Sequence, residues 1–410
     1  MSDAGLRALS ALGLVALGVL AWACGTDRRR VPWRVVAWGL SLQLALGALL
    51  LRTEAGRRFF VAVNDAVNGL VRFTDAGTRF MFGPLKDAGF SFVIEVLPII
   101  IFMGSLFSVL YHLGIVQAVV GLLARALART MQLSGAESLA AVANIFVGMT
   151  EAPLMVRPYL ERMTRSELFC VMTTGMATIA GSVLVAYAKM LGELEYSGHL
   201  VTASLLAMPA GVMVAKLMVP ETGAPVTGVA AGALVERSSV NVIDAAADGA
   251  IAALRLAGYV GALLIAFVAL VAMVNAGVGA VGAWFGAPDL TLERIFGVAF
   301  APLALLMGVA PTDAFEVGAL LGVKTVLNEF LAYQDLAGQL ATQAISHRSA
   351  VIASYGLCGF ANFGSLAILI GGMGGLAPSR RGEIASLGLR SIAAGTLASA
   401  MTGCVAGIFL

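Results

Sequence analysis

The 410 residues carry a formal net charge of +2, and only 12% of them are charged whereas 59% are hydrophobic. Soluble domains of this length rarely have so little charge, so the composition excludes an ordinary soluble protein and indicates an integral membrane protein. The near-neutral charge gives no reason to expect a nucleic-acid partner.

Eight stretches reach the length of about 20 apolar residues that a transmembrane helix needs. They are 5–24, 32–51, 93–113, 167–190, 197–218, 255–276, 349–373 and 385–410. Two other stretches, 57–75 and 115–131, mix charged and apolar residues as interfacial helices do. The basic loop Arg28–Arg34 and the pair Arg380–Arg381 favour the cytoplasmic side. We therefore predict an all-α integral membrane protein with eight transmembrane helices.

Two apolar regions, 136–160 and 296–333, hold Pro, Gly and charged residues in their middles and resemble re-entrant hairpins. Each is followed by a Gly-x-Ala-polar-apolar break in the next apolar segment, starting at Gly175 in one half and at Gly359 in the other. Irregular backbone at membrane depth is tolerated only where protein or a water-filled cavity covers it. Interrupted segments at matching positions in two halves predict the binding site of a transporter.

The two glutamates of these regions, Glu151 and Glu329, are the strongest candidates for binding a ligand. An ionisable residue at membrane depth costs roughly 2.5–3.5 kcal/mol on insertion scales, so it indicates a functional site. A carboxylate accepts hydrogen bonds from neighbouring hydroxyls, which suits a polyol such as a sugar ring. The alternative is a structural ion pair, of Glu151 with Arg157 or of Glu329 with Lys324.

Neutral polar residues surround the breaks, and the sequence leaves their role open between two possibilities. Freed backbone carbonyls and these side chains could coordinate a small hard cation such as sodium. They could instead form interhelical hydrogen bonds, which contribute about 0.6 kcal/mol each. The residues are Asn144, Thr150, Thr178, Asn362 and Ser365.

Other ionisable residues favour structural roles. Glu95 lies within a span, either as a cavity wall or paired with Arg255. The three histidines share no segment, so we expect no metal site of the zinc type. The absence of HExxH, GxSxG and Walker motifs argues against an intramembrane hydrolase or a nucleotide-driven pump, so we predict that the protein is not an enzyme.

At these motifs the chain resembles the concentrative nucleoside transporter family, in its compact bacterial form. The matching stretches are 144–159, 177–182, 241–247, 324–333 and 358–362. The resemblance implies eight spans, two re-entrant hairpins in an inverted repeat, and an elevator-type transport domain on a homotrimeric scaffold. It also implies a multi-pass protein of the bacterial inner membrane, in contact with lipid, that imports nucleosides with a sodium gradient.

The resemblance further implies four regions and the residues of two sites. Residues 1–135 would hold the N-terminal spans, interfacial helices and a scaffold helix, and 219–290 a linker and a long scaffold helix. Residues 136–218 and 291–410 would each hold a hairpin and a broken helix of the transport domain. The nucleobase would face Thr150 and Glu151, whereas the ribose hydroxyls would bind Glu329, Asn362 and Ser365. Packing would come from Phe360, Val183 and Leu256, and sodium would bind Asn144, Val147, Thr178 and Ile179.

One position departs from the family pattern, which has Gln before Thr-Glu in the first hairpin where this chain has Met149. Glutamine offers a donor and an acceptor to a base edge, whereas methionine offers an adaptable apolar surface. We therefore expect Met149 to contact the substrate and to broaden or alter base selectivity. Proton coupling, or an elevator-type symporter of another small polar solute, are the alternative functions.

Overall fold

The computed structural model describes residues 2–87, 91–192, 196–225, 227–228 and 239–410. In these ranges the regular structure is helical, with no β-strand. The α-helices in chain order are α1 (Asp3–Ala23), α2 (Trp33–Arg52), α3 (Glu54–Phe82), α4 (Phe92–Glu95), α5 (Leu97–His112), α6 (Ile115–Met131), α7 (Gly135–Ala143), α8 (Ala152–Met155), α9 (Arg157–Leu160), α10 (Arg165–Ala177), α11 (Gly181–Met190), α12 (Tyr196–Met218), α13 (Val242–Trp284), α14 (Leu292–Leu306), α15 (Ala314–Val326), α16 (Glu329–Ala341), α17 (His347–Leu357), α18 (Phe363–Leu376) and α19 (Arg381–Phe409).

Seven helical stretches in the described ranges are long and apolar enough to cross a membrane: α1, α2, α4–α5, α10–α11, α12, α13 and α19. The predicted span 349–373 is divided between α17 and α18, so neither helix alone has the required length. The predicted interfacial stretches 57–75 and 115–131 fall within α3 and on α6. The chain is thus an all-helical, multi-pass membrane protein.

One order of elements occurs twice along the chain. Two successive helices, a helix pair around a break, a broken helix and a long helix run from α5 to α12, and again from α13 to α19. The first helices of the two series pack antiparallel, because Leu97 lies beside Gly261 whereas Gly104 lies beside Ala253. The Ser105 hydroxyl also donates to the Ala246 carbonyl at 2.9 Å.

The second helix pair lies further along the chain than its sequence predicted. We expected a hairpin over 296–333, but the pair is α15 and α16, with the break at Leu327 and Asn328. The polar and helix-breaking residues near 308–313 instead end α14 and form the turn into α15, where Gly308 has a φ of +87°. The break at 327–330 was predicted, but the start of the region was placed too early, because sequence polarity marks both a turn and a break.

Local capping explains where the broken helices restart. Asn328 begins α16, since its side chain accepts a hydrogen bond from the Leu331 amide at 3.0 Å. Asn362 begins α18 in the same way, accepting from the Ser365 amide at 2.7 Å. Ser134 and Glu137 form a capping box at the start of α7. Such caps satisfy amides that a helix start leaves free, which matters most where no water is near.

Three loops meet at one end of the molecule, here called the arginine-rich end: residues 24–32, 161–164 and 377–380. Arg380 joins two of them by donating to the carbonyls of Glu161 at 2.9 Å and Met163 at 2.8 Å. Arg390 reaches the Cys24 carbonyl at 3.4 Å. Because basic residues concentrate in cytoplasmic loops, this end is expected to face the cytoplasm.

Candidate solute-binding site

A cavity of about 110 Å³ lies where the two breaks meet helices α11, α13 and α16. All nine residues predicted to bind substrate line this central cavity: Met149, Thr150, Glu151, Val183, Leu256, Glu329, Phe360, Asn362 and Ser365. They come from separate segments, so the fold brings them together. Most other lining residues are apolar, among them Ile100, Phe267 and Ile368. A few converging polar groups in an apolar cavity are typical of a small-molecule site.

The Glu329 carboxylate is a buried polar group of the cavity with two hydrogen-bond donors from other helices. It is 3% exposed, and its two oxygens accept hydrogen bonds from the Tyr187 hydroxyl at 2.8 Å and the Asn362 amide at 2.7 Å. A carboxylate has about four acceptor positions, so these two bonds do not exhaust its capacity to bind a ligand. The ammonium of Lys324 donates instead to Gly356 and Ser399, so the ion pair considered from the sequence does not form.

Tyr187 is a site residue that the sequence analysis missed. Its ring is fully buried, stacks on Tyr333 with centroids 4.5 Å apart, and meets Phe330 edge-on at 4.8 Å. These contacts fix the hydroxyl that holds the Glu329 carboxylate. Helical spacing carried the signal, because Tyr187 lies four residues after Val183, on the same face of α11.

Glu151 also lines the central cavity and is exposed. The neighbouring Thr150 hydroxyl donates to its carboxylate at 2.8 Å. Arg157 and Glu151 line one larger cavity next to the central one, but no ion pair joins the two in the described part of the chain. A hydroxyl and a carboxylate side by side offer a donor and acceptors to a polar ligand edge.

The irregular stretches after α7 and after α10 bring several oxygen atoms together, and one of these atoms has no hydrogen-bond partner in the described structure. Asn144 is fully buried; its amide nitrogen donates to the Ala140 carbonyl at 3.0 Å and to Thr174 at 3.3 Å, whereas its side-chain oxygen has no hydrogen-bond partner. The Thr178 hydroxyl donates to the Thr174 carbonyl at 2.9 Å and lies 3.4 Å from the Asn144 carbonyl.

The chemistry of this point suits sodium, because hard cations bind oxygen ligands, which include backbone and Asn side-chain carbonyls. The irregular stretches after α7 and after α10 are joined here, since the Gly181 amide donates to the Phe146 carbonyl at 3.1 Å. Gly148, with a φ of +94°, lets the backbone turn against Ala180. Val147 lies in the same irregular stretch as Asn144, and Ile179 lies in the same irregular stretch as Thr178. The donor set therefore fits the predicted cation.

A larger cavity of about 1730 Å³, here called the vestibule, adjoins the central cavity. The two share Thr150, Glu151 and Leu256 in their linings. The vestibule reaches Glu161 and Arg162, which belong to the arginine-rich end. The central cavity is thus connected to solvent on the side expected to be cytoplasmic.

Glu95 lies outside the central cavity, and the pairing with Arg255 considered from the sequence is wrong. Its carboxylate pairs with Lys86 at 3.3 Å and with Lys189 at 3.6 Å. Lys86 also pairs with Asp75 at 2.7 Å. This cluster ties α3, α4 and α11 together, which is a structural role.

The fold and the site define a multi-pass membrane protein with a central solute cavity. Three family models match in succession: "Na+ dependent nucleoside transporter N-terminus" over residues 12–85, "Nucleoside recognition" over 93–194, and "Na+ dependent nucleoside transporter C-terminus" over 199–407. Described residues contain no cluster of His, Cys, Asp or Glu that would hold a metal ion.

Similar proteins agree with these models. An uncharacterised transporter of Haemophilus influenzae is 45% identical over 98% of this chain and 97% of its own length. Nucleoside permease NupC of Helicobacter pylori is 38% identical over 98% of this chain and 97% of its own length. The structure of CNTnw in an inward-facing substrate-bound state is 42% identical, has a TM-score of 0.92, and covers 98% of each chain.

The chain therefore belongs to the concentrative nucleoside transporter family. It is a transporter and not an enzyme, and sodium is the coupling ion named for the matching families.

Proposed function

We propose that this protein is a symporter that imports ribonucleosides, pyrimidine or purine, with the energy of a sodium gradient. The observation that carries the proposal is the Glu329 carboxylate, buried in the central cavity and held by two donors with acceptor positions to spare. The free acceptor positions of such a carboxylate can bind two vicinal hydroxyls, and a ribose supplies them.

The ribose end of the ligand is assigned to the side of the cavity around Glu329. The 2′- and 3′-hydroxyls would donate to Glu329, while Asn362 and Ser365 complete the polar contacts. Phe360 and Val183 would pack against the ligand, and Leu256 would close the cavity from α13. Each hydrogen bond to the charged group contributes about 1.5–3 kcal/mol.

The nucleobase is assigned to the opposite side, formed by the first break. Thr150 and Glu151 would meet the polar edge of the base, and Met149 would lie against it without a strong hydrogen bond of its own. Met149 is 7% exposed and lines the cavity. This supports weak readout of the base at that position.

Sodium is assigned to Asn144 and Thr178, with carbonyl oxygens of Val147 and Ile179. The unsatisfied Asn144 oxygen supports this assignment. A bound ion would supply positive charge that orders the first break, in which Thr150 and Glu151 also lie. Sodium would then raise nucleoside affinity, and by linkage the nucleoside would raise sodium affinity by the same factor.

The proposed assembly is a homotrimer in the bacterial inner membrane, in contact with lipid. Each protomer would have eight spans, counting α17–α18 as one, and two re-entrant hairpins, α7–α9 and α15–α16, in an inverted repeat. Regions 136–218 and 291–410 would form a mobile transport domain that moves against the scaffold in elevator fashion. Regions 1–135 and 219–290 would supply the scaffold, although 229–238 lie outside the described residues. The antiparallel packing of α5 on α13 supports the inverted repeat.

A binding panel tests this function. Calorimetry on the purified full-length protein would measure uridine, cytidine, adenosine and guanosine binding in sodium and in choline. We expect at least one ribonucleoside to bind in sodium, with about tenfold or greater loss in choline, a typical coupling factor. Binding of equal strength in both salts, with affinity that follows pH instead, would favour the proton-coupled alternative. No binding of any nucleoside would favour another polar solute.

A further inference from the structure

Lys324 is a charged residue to which the proposed binding sites give no role. It is 1% exposed and lies in the last turn of α15. Its ammonium donates to the Gly356 carbonyl at 2.8 Å and to the Ser399 hydroxyl at 2.9 Å. Among the described residues it forms no ion pair with a carboxylate. A buried charge without an ion-pair partner is costly, so its retention needs a reason.

The Lys324 ammonium occupies, in the second series of helices, the position that corresponds to the assigned sodium site in the first series. In the first series, Asn144 and Thr178 lie at the C-terminal ends of α7 and α10. In the second series, Lys324 and Gly356 lie in the last turns of α15 and α17, the corresponding helices. Each point therefore lies near the C-terminal ends of two corresponding helices; at the second point the ammonium contacts the α17 end and Ser399 of α19.

Helix C-termini carry partial negative charge and unpaired carbonyls, so a point where two of them meet favours a cation. Half-helix C-termini coordinate coupling ions in transporters for this reason. The first point offers an unsatisfied amide oxygen, whereas an ammonium already lies at the second. The Lys324 charge also lies near enough to Glu329 to interact with it electrostatically.

We propose that Lys324 is a tethered cation that takes, in the second half, the place of a sodium ion. It stabilises the second break and the nearby Glu329 carboxylate in every state of the transport cycle. One free sodium ion then suffices for each nucleoside, because the second cation position is filled by the chain itself. This inference rests on the proposed sodium-coupled function and concerns Lys324 as a positioning residue.

The test is a sodium titration of uridine binding to the purified full-length protein. Wild type is expected to follow a one-site curve. The substitution Lys324→Gln removes the charge and adds an amide oxygen like that of Asn144. It should weaken uridine binding about tenfold at low sodium, recover at high sodium, and give a steeper titration with a Hill coefficient approaching two. Lys324→Met, which lacks the oxygen, should not recover.

Two controls separate this role from a merely structural one. Ser399→Ala removes one hydrogen bond of the ammonium but leaves its charge, so the one-site curve should remain. Sodium-to-uridine flux in wild-type proteoliposomes needs no variant and should give one ion per uridine. Transport of two ions per uridine by wild type would overturn the inference. A sodium titration of Lys324→Gln with the wild-type shape and midpoint would also overturn it, as would a loss of uridine binding in Lys324→Gln that high sodium does not restore. A wild type without sodium dependence would overturn the proposed function and this inference together.

Discussion

The Glu329 carboxylate accepts hydrogen bonds from Tyr187 and Asn362 and is proposed to accept from the ligand hydroxyls as well. Glu329→Gln keeps the shape but replaces an acceptor with a donor. We expect uridine affinity to fall about 10- to 100-fold, equivalent to one charged hydrogen bond of about 1.5–3 kcal/mol. Calorimetry should also show that wild type prefers uridine over 3′-deoxyuridine and that the variant does not.

A matched control for this prediction is Asp335→Asn, which changes an exposed carboxylate on the same helix. It should leave both affinities unchanged. Equal binding of uridine and 3′-deoxyuridine to wild type would show that Glu329 does not bind the ribose.

The Tyr187 hydroxyl is expected to hold Glu329 in its binding orientation. Tyr187→Phe removes that donor and should weaken uridine binding about tenfold, within the range of one hydrogen bond to a charged group. Tyr333→Phe is the control, because Tyr333 stacks on Tyr187 and is equally buried but donates to the Ser354 carbonyl at 2.9 Å. If both variants bind uridine alike, the orienting role is wrong.

Met149 tests base readout with one side chain. Met149→Gln introduces an amide that can pair with a base edge, so the ratio of affinities among uridine, cytidine, adenosine and guanosine should change by several-fold, about 1 kcal/mol. Met149→Leu, which stays apolar, should keep the wild-type ratios. Uptake competition against labelled uridine measures these ratios. Identical ratios for Met149→Gln and wild type would show that residue 149 does not read the base.

At the scale of elements, the junction of the breaks after α7 and α10 carries the proposed coupling. Thr178→Val removes an oxygen from the assigned sodium site, so half-maximal uridine binding should need about tenfold more sodium. Thr173→Val is the control: Thr173 is buried on the same helix, and its hydroxyl has no partner in the described structure. A sodium titration that shifts equally in both variants would contradict the assignment.

The positions of the breaks could be predicted from the sequence because Glu151, Gly175 and Gly359 interrupt otherwise apolar runs. The bounds of α6 could be predicted as well, since its charges keep helical spacing. The second helix pair was expected to begin too early, because the polar turn after α14 resembles a break in composition. Which break meets which helix is a property of packing that no local pattern carries.

The site shows the same division. The resemblance supplied the residues that touch the cavity, but not Tyr187, whose role depends on contact with a residue 142 positions away. Nor did it supply the partners of Glu95, because Lys86 and Lys189 lie on other elements. Side chains that act through a second residue are found only when the fold is known.

At the scale of the whole molecule, the vestibule connects the central cavity with the arginine-rich end. If that end is cytoplasmic, the structure corresponds to an inward-open arrangement. Import then requires a second arrangement in which the same cavity opens at the opposite end. The assigned sodium and nucleoside positions share the first break, so both ligands would move together.

Uptake into proteoliposomes tests the central claim most directly. Labelled uridine would be followed in vesicles of the full-length protein under an inward sodium gradient, or under an inward proton gradient with choline replacing sodium. The account predicts accumulation above the external concentration with the sodium gradient alone, and its loss when a sodium ionophore collapses that gradient. Accumulation driven by the proton gradient without sodium would contradict it.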